Sequence, residues 1–183
     1  MGERRTRVLV VEDDTELRAM YDRVLSAFYA VSTAATGADA VAAMTDDTDV
    51  VLLDRRLPDT DAATLVRDLK RRYGDCYVAL VTVMQPDFDI VDLSIDDYLV
   101  KPVTTDQLRD AVDRLLSLAE YDATYRELSQ KRVKRSVLAR EKPSTALRHS
   151  AAFDRLCTDI ERLERELDEI GEQVDEVPGD LER

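Results

Sequence analysis

The sequence predicts a doubly wound α/β domain, with a five-stranded parallel sheet in the order 2-1-3-4-5, followed by an α-helical hairpin. Short runs rich in Val, Leu and Tyr alternate with helical patterns as far as about Ala119. Several of these runs are apolar almost throughout, as strands covered on both faces must be. Beyond Ala119 the strand-like runs stop, and apolar residues recur only at helical spacing.

The strands are expected at Arg7–Val11, Tyr29–Ala34, Val50–Leu53, Tyr77–Val81 and Asp97–Val100. The first helix, Asp14–Ala27, places Leu17, Met20, Tyr21, Val24 and Leu25 on one face. The second, Thr36–Met44, uses Ala40, Val41 and Met44, and the third, Asp61–Arg72, uses Leu65, Val66 and Leu69. Only a stunted fourth helix fits in the short segment Gln85–Asp96, around Asp87–Leu93. The fifth begins near Thr105, capped by Thr104 or Thr105, with Leu108, Val112, Leu115, Leu116 and Ala119 inward. No Pro or Gly interrupts it before Pro143, so it is expected to run well past the sheet domain. After Pro143 a second long helix reaches about Val177, with a seam of Ile160, Leu163, Leu167, Ile170, Val174 and Val177. The proline break favours an antiparallel hairpin of the two. The alternative is pairing with a second copy, a homodimer through helices 105–142 or 145–177. The domains are therefore drawn at 1–120 and 121–183.

Composition narrows the function classes. Net charge is −13, with 26 Asp and 13 Glu against 21 Arg and only 5 Lys. Excess carboxylate with scarce lysine resembles the proteins of salt-in halophilic archaea, whose acidic surfaces stay hydrated where salt screens repulsion. The longest apolar runs are too short to cross a bilayer, and no stretch of signal-peptide length opens the chain, so a cytoplasmic protein without membrane contact is expected. Cys76 and Cys157 have neither metal-ligand nor redox spacing and are expected as reduced thiols.

The chemistry gathers where the strands end. Strand 1 runs into Glu12-Asp13-Asp14, strand 3 into Asp54, strand 4 into Thr82, and strand 5 into Lys101-Pro102. In open α/β sheets ligands bind beyond the carboxyl ends of the strands, near the switch in strand order, which strands 1 and 3 flank. Glu12, Asp13 and Asp54 should therefore converge. Three such carboxylates repel one another, and a hard, oxygen-seeking divalent cation, best Mg²⁺, relieves that repulsion.

The segments Val8–Asp14, Leu52-Leu53-Asp54 with Pro58, Val81-Thr82 and Tyr98–Pro102 resemble those of CheY-like receiver domains, in the same order and at nearly the same spacings over about residues 5–120. The resemblance implies that Asp54 takes a phosphoryl group from a sensor histidine kinase in a Mg²⁺-dependent reaction. It implies further that Asp13 ligates the metal directly, that Glu12 does so directly or through water, and that Arg56 supplies its backbone carbonyl. Lys101 would pair with the phosphoryl oxygens and the Thr82 hydroxyl would bond one of them. Tyr98 occupies the place of the switch aromatic, and the Lys101–Pro102 peptide is cis in relatives. Such a protein is a signalling switch, self-catalysing phosphoryl transfer and slow autodephosphorylation, and not an enzyme. The chain departs from the pattern at Ala62, where Gly is usual, and at Val83, whose branched side chain is expected to crowd the site. Arg56 and Met84 stand where relatives tune dephosphorylation.

The tail resembles the HalX domain, a helical module found behind receivers in haloarchaea and associated with transcription regulators. The resemblance rests on Tyr121-Asp122, Tyr125-Arg126-Glu127-Leu128, the Lys142 region and the acidic heptads from Phe153. Lys131, Arg132, Lys134, Arg135, Arg140, Lys142 and Arg148 form a basic cluster. It suits either direct DNA contact or pairing with Glu161, Glu164, Glu166 and Asp168 across the hairpin. Residues 121–183 carry 12 bases against 15 acids and no helix-turn-helix spacing, which weighs against DNA. His149 is the only histidine and is expected to face solvent. Three outputs thus stand side by side: a phosphorelay switch acting through the helical tail, a transcription factor using Lys131–Arg148 on DNA, and a scaffold whose receiver is not phosphorylated.

Overall fold

The computed structural model describes residues 4–175, with the side chains of 174 and 175 excepted. Contacts divide the chain into two units, Met1–Leu116 and Ser117–Arg183.

The first unit is built on β1 (Arg7–Val11), β2 (Ala30–Ala34), β3 (Val50–Leu53), β4 (Tyr77–Thr82) and β5 (Asp97–Val100). All neighbours pair in parallel, in the order β2-β1-β3-β4-β5. Val8–Val11, Val50–Leu53 and Val78–Val81 are buried residue by residue, which is why these strands lack alternation in the sequence. Helices α1 (Thr15–Leu25), α2 (Gly37–Ala43) and α3 (Ala62–Arg72) follow β1, β2 and β3. Leu65, Val66 and Leu69 of α3 join Leu9, Val51, Leu53 and Leu80 in one core.

Each of α1–α3 begins where a side-chain oxygen can satisfy free backbone donors. Asp14 accepts from the amides of Glu16 and Leu17, Thr36 from Asp39 and Asp61 from Thr64. Ala62 needs no glycine-like freedom, because it opens α3 with its methyl buried and no described non-glycine residue has positive φ. After β4 the expected stunted helix is a single 3₁₀ turn, Phe88–Asp92, none of whose residues is buried. Helix α4 (Thr105–Glu141) therefore takes the place of the expected fifth helix. It starts with a reciprocal cap, in which Gln107 N–H donates to Thr104 Oγ1 and Thr104 N–H to Gln107 Oε1. Leu108, Ala111, Val112 and Leu115 bury its first turns, and the Tyr29 hydroxyl donates to Asp113 at 2.6 Å.

Asp59 bridges the connection before α3 to the start of α2, accepting from the amides of Gly37 (2.8 Å) and Ala38 (2.9 Å). A Cβ on Gly37 would clash with Thr60 Cγ2, so any larger residue would have to push the Thr60 side chain aside. The two amides hold the Asp59 carboxyl below the ordinary aspartate range. A depressed folded value stabilises the fold above the unfolded value, and that contribution disappears as pH falls through the folded one. Asp59→Asn should accordingly be less stable than wild type at neutral pH, and urea melts of the two should converge as pH drops below the ordinary aspartate range.

In the second unit, the remainder of α4 lies against α6 (Ala151–Asp175), after a short α5 (Ser144–Arg148). The single helix expected after Pro143 is thus broken. The Ser150 carbonyl accepts from the amides of Phe153 and Asp154, and its hydroxyl also accepts from Phe153. Leu128 packs with Ile160, Leu163 and Leu167 in a small core. A Cβ on Gly171 would meet Tyr121 at 3.8 Å, while Lys131 reaches Asp159 at 2.7 Å, so the two helices run antiparallel. Ile160, Leu163, Leu167 and Ile170 are buried as the seam predicts, while the Val174 side chain and Val177 lie outside the described residues. Arg132 pairs with Glu164 at 2.7 Å as expected, but Lys131 takes Asp159, and Glu166 is held by Arg162 of its own helix. His149 is exposed at the end of α5, and both cysteines are free thiols. Among the described residues no helix is long and apolar enough to cross a membrane.

Candidate phosphoacceptor and metal site

Strand register brings the acids together. Val11 lies beside Leu53 in the β1–β3 pair, so the residues that follow, Glu12 and Asp54, are neighbours, and the Asp54 amide donates to the Val11 carbonyl at 2.9 Å. Glu12 turns inward and is 2% exposed, Asp54 is 7% exposed, and Asp13 stands in solvent beside them. Carboxylate oxygens of Glu12, Asp13 and Asp54 all lie within 4.8 Å of one another.

Lys101 comes from two strands away. It follows β5, and its amide donates to the Thr82 carbonyl at 2.8 Å. Adjacent strands are about 4.8 Å apart, so its side chain extends over the end of β4 and meets the carboxylates that reach toward it from β1 and β3. Its ammonium donates to Glu12 Oε2 at 2.6 Å and also to Asp54 Oδ2. Burial by itself would push the ammonium down, but hydrogen bonds and charge from Asp54 and Glu12 outweigh it, and Lys101 titrates above its ordinary value. Burial pushes the Glu12 carboxyl up, with Lys101 pulling against it. The Lys101–Pro102 peptide is cis.

Thr82 is fully buried at the end of β4, and its Oγ1 is 3.4 Å from the Met84 amide that donates to it. Tyr98 is half-buried, and its hydroxyl donates to the Met84 carbonyl at 2.9 Å. The main chain at Met84 thus touches both. Val83, expected to crowd the site, is 57% exposed. The Arg56 amide donates to Asp54 Oδ1 at 2.9 Å, and the main chain of Arg56 forms an antiparallel β-bridge with that of Asp61 across the intervening turn.

Two side chains, Arg18 and Arg55, close on this region without being singled out in the sequence. Asp14 caps α1. Arg18, one turn into that helix, donates to the backbone carbonyls of Glu12 (2.6 Å) and Asp13 (3.2 Å), fixing the loop that presents them. Its position one turn after an acidic N-cap was the available signal. Arg55, immediately after Asp54, forms an ion pair with Asp89.

An all-oxygen set of three carboxylates suits a hard cation. Ligands on opposite sides of Mg²⁺ lie about 4.2 Å apart, given Mg–O distances of about 2.1 Å. A cluster spanning up to 4.8 Å fits with slight closure, or with one carboxylate acting through water.

The family model of the response regulator receiver domain matches residues 8–113, more than half of the chain. The chain belongs to the response regulator receiver family. The HalX domain model matches residues 117–183 of this response regulator. A Haloferax volcanii protein that carries the provisional name of a transcriptional regulator is 39% identical over 121 residues, 66% of this chain and 21% of that protein. The Escherichia coli transcriptional regulatory protein BaeR is 32% identical over 136 residues, 71% of this chain and 55% of that protein. This response regulator therefore spans about a fifth of the first relative and about half of the second. Among solved structures, the beryllofluoride-activated DrrB receiver domain superposes with a TM-score of 0.57 at 28% identity, covering 62% of this chain and 98% of that one.

Proposed function

We propose that this response regulator is a switch in which Asp54 accepts a phosphoryl group from a sensor histidine kinase, with Mg²⁺ bound. The observation that carries the reading is the convergence of Glu12, Asp13, Asp54 and Lys101 from three different strand ends. Asp13 and Asp54 would hold the metal with Glu12 in direct or water-mediated support and the Arg56 carbonyl completing the set. Bound there, Mg²⁺ supplies charge neutralisation to the phosphoryl oxygens.

The residues of the chain account for the remainder. An Asp54 carboxylate oxygen forms the new bond to phosphorus as the bond from phosphorus to the donor's imidazole nitrogen breaks. The electron pair stays on that nitrogen, which takes up a proton. Lys101, now pairing two carboxylates, shifts to the phosphoryl oxygens, and the Thr82 hydroxyl, whose oxygen accepts from the Met84 amide, donates its proton to one of them. Because Tyr98 shares Met84 with Thr82, movement at one is felt at the other.

We assign the output to regulation of transcription through protein contacts of the helical tail. Its relatives carry regulator names, while two of the cations that direct DNA binding would need, Lys131 and Arg132, are engaged by Asp159 and Glu164. The test is intact-mass measurement in molar KCl with acetyl phosphate and Mg²⁺. Wild type should gain one phosphoryl group, and Asp54→Asn and EDTA-treated protein none. A gain on Asp54→Asn would move the acceptor elsewhere, and no gain on wild type would leave the receiver as a scaffold.

A further inference from the structure

Arg55 and the 3₁₀ turn after β4 form a unit that phosphoryl acceptance does not by itself explain. None of the residues Phe88–Asp92 is buried, and Phe88 and Val91 are 91% and 79% exposed. A turn with so little packing is held by what its polar groups touch. Asp87 caps it, its carboxylate accepting from the Phe88 amide at 2.7 Å. Asp89 is the link outward, through its ion pair with Arg55, whose side chain is 18% exposed while that of Asp89 is 53% exposed. Arg55 is therefore anchored near the strand ends and Asp89 is the looser partner. Arg55 also hydrogen-bonds the side chain of Tyr98, whose hydroxyl donates to Met84 on the same β4–β5 connection that carries the turn.

We propose that Arg55 is a positioning residue that latches this turn while Asp54 is unmodified, and that a phosphoryl group on Asp54 draws the guanidinium off Asp89 and releases the turn. The chemistry favours the exchange. The planar fork of arginine matches phosphoryl oxygens as well as a carboxylate, and a phosphoryl group carries more charge than the side chain it modifies. Arg55 is next to Asp54 in the chain, so no rearrangement of the sheet is required. The existing pair is half in solvent, and a pair of that kind biases an equilibrium by no more than about fivefold. A latch that weak can be opened by one new charge.

The inference rests on Asp54 being the phosphoacceptor, and the experiment separates the two. Beryllofluoride with Mg²⁺ serves as the phosphoryl mimic on the full chain in molar KCl, with binding read by fluorine NMR and the turn read by hydrogen exchange of peptides spanning 85–93. In wild type, bound beryllofluoride should speed exchange in those peptides. In Asp89→Asn, which leaves every residue of the metal and phosphoryl site in place, exchange should be fast already. By reciprocity beryllofluoride should then bind roughly two- to fivefold more tightly. Asp89→Glu keeps the carboxylate and should restore the wild-type pattern. Beryllofluoride bound to wild type with exchange at 85–93 unchanged, or equal affinity in Asp89→Asn, overturns the latch alone. No bound beryllofluoride in any of the proteins overturns the phosphoacceptor reading and the latch with it.

Discussion

Lys101→Met is expected to destabilise the metal-free protein by about 3–5 kcal/mol, the usual cost of removing one partner from a buried ion pair. The magnitude follows from what it leaves behind. The side chains of Glu12 and Asp54 are 3% and 8% exposed, and Lys101 is the cation that both touch. Methionine fills much of the same volume, so the loss is electrostatic and not a cavity. Two controls isolate the cause. Adding Glu12→Gln to the variant removes one of the stranded charges and should recover part of the stability, giving a coupling between the two positions that separate substitutions do not predict. Mg²⁺ should recover more, because a ligand at a hundredfold excess over its Kd stabilises the state it binds by about 2.7 kcal/mol. Urea unfolding in EDTA, then in rising Mg²⁺, measures all three. A Lys101→Met protein as stable as wild type in EDTA would mean that the acids are not held together by this lysine.

Much of this arrangement was legible from residue order alone, for a definite reason. Strands buried on both faces have nowhere to place a polar residue, so the buried runs Val8–Val11 and Val50–Leu53 end where the next carboxylate appears, at Glu12 and Asp54. Those end residues are the candidate site, and a parallel sheet in this order cannot keep Glu12 and Asp54 apart. The limits of β2 shifted by one residue because the Tyr29 amide is spent on the Leu25 carbonyl, closing the turn after α1. What the pattern did not reveal depends on long side chains and local competition. Arg18 and Arg55 are ordinary polar residues by periodicity, and only the turns they leave decide that one clamps the Glu12–Asp13 carbonyls and the other reaches Asp89. The break between α5 and α6 was equally hidden. Nothing in the apolar seam signals it, and it arises because Ser150 offers its own oxygens to the amides of Phe153 and Asp154. The basic cluster was ambiguous for a related reason, since charge counts do not say which acid each cation faces, and Lys131 chose Asp159.

In the helical tail, Leu128→Ala is expected to have the largest effect of any single truncation, at about 2–5 kcal/mol. The core there is small, and Leu128 is the fully buried residue that α4 contributes to the cluster of Ile160, Leu163 and Leu167. On the α5 side its neighbours along the same face of α4 are Lys131 and Arg135, and on the other side Tyr121 and Tyr125 are exposed, so none replaces it. The ion pairs Lys131–Asp159 and Arg132–Glu164 set register but lie at the surface, where such pairs are worth at most about 1 kcal/mol each. Without Leu128 the cluster of Ile160, Leu163 and Leu167 loses its buried partner from α4. An amphipathic helix of this length gains most of its stability from the partner that covers it, so α6 should lose hydrogen-exchange protection along Ile160–Ile170. The substitution also separates this unit from the sheet unit in a measurable way. If the tail core folds independently, phosphoryl uptake by Leu128→Ala in the presence of acetyl phosphate and Mg²⁺ should match wild type while exchange in α6 rises. Unchanged protection of α6 would mean that the α4–α6 seam is held by something other than this leucine, and a fall in phosphoryl uptake would show that the receiver depends on the tail core for its own fold.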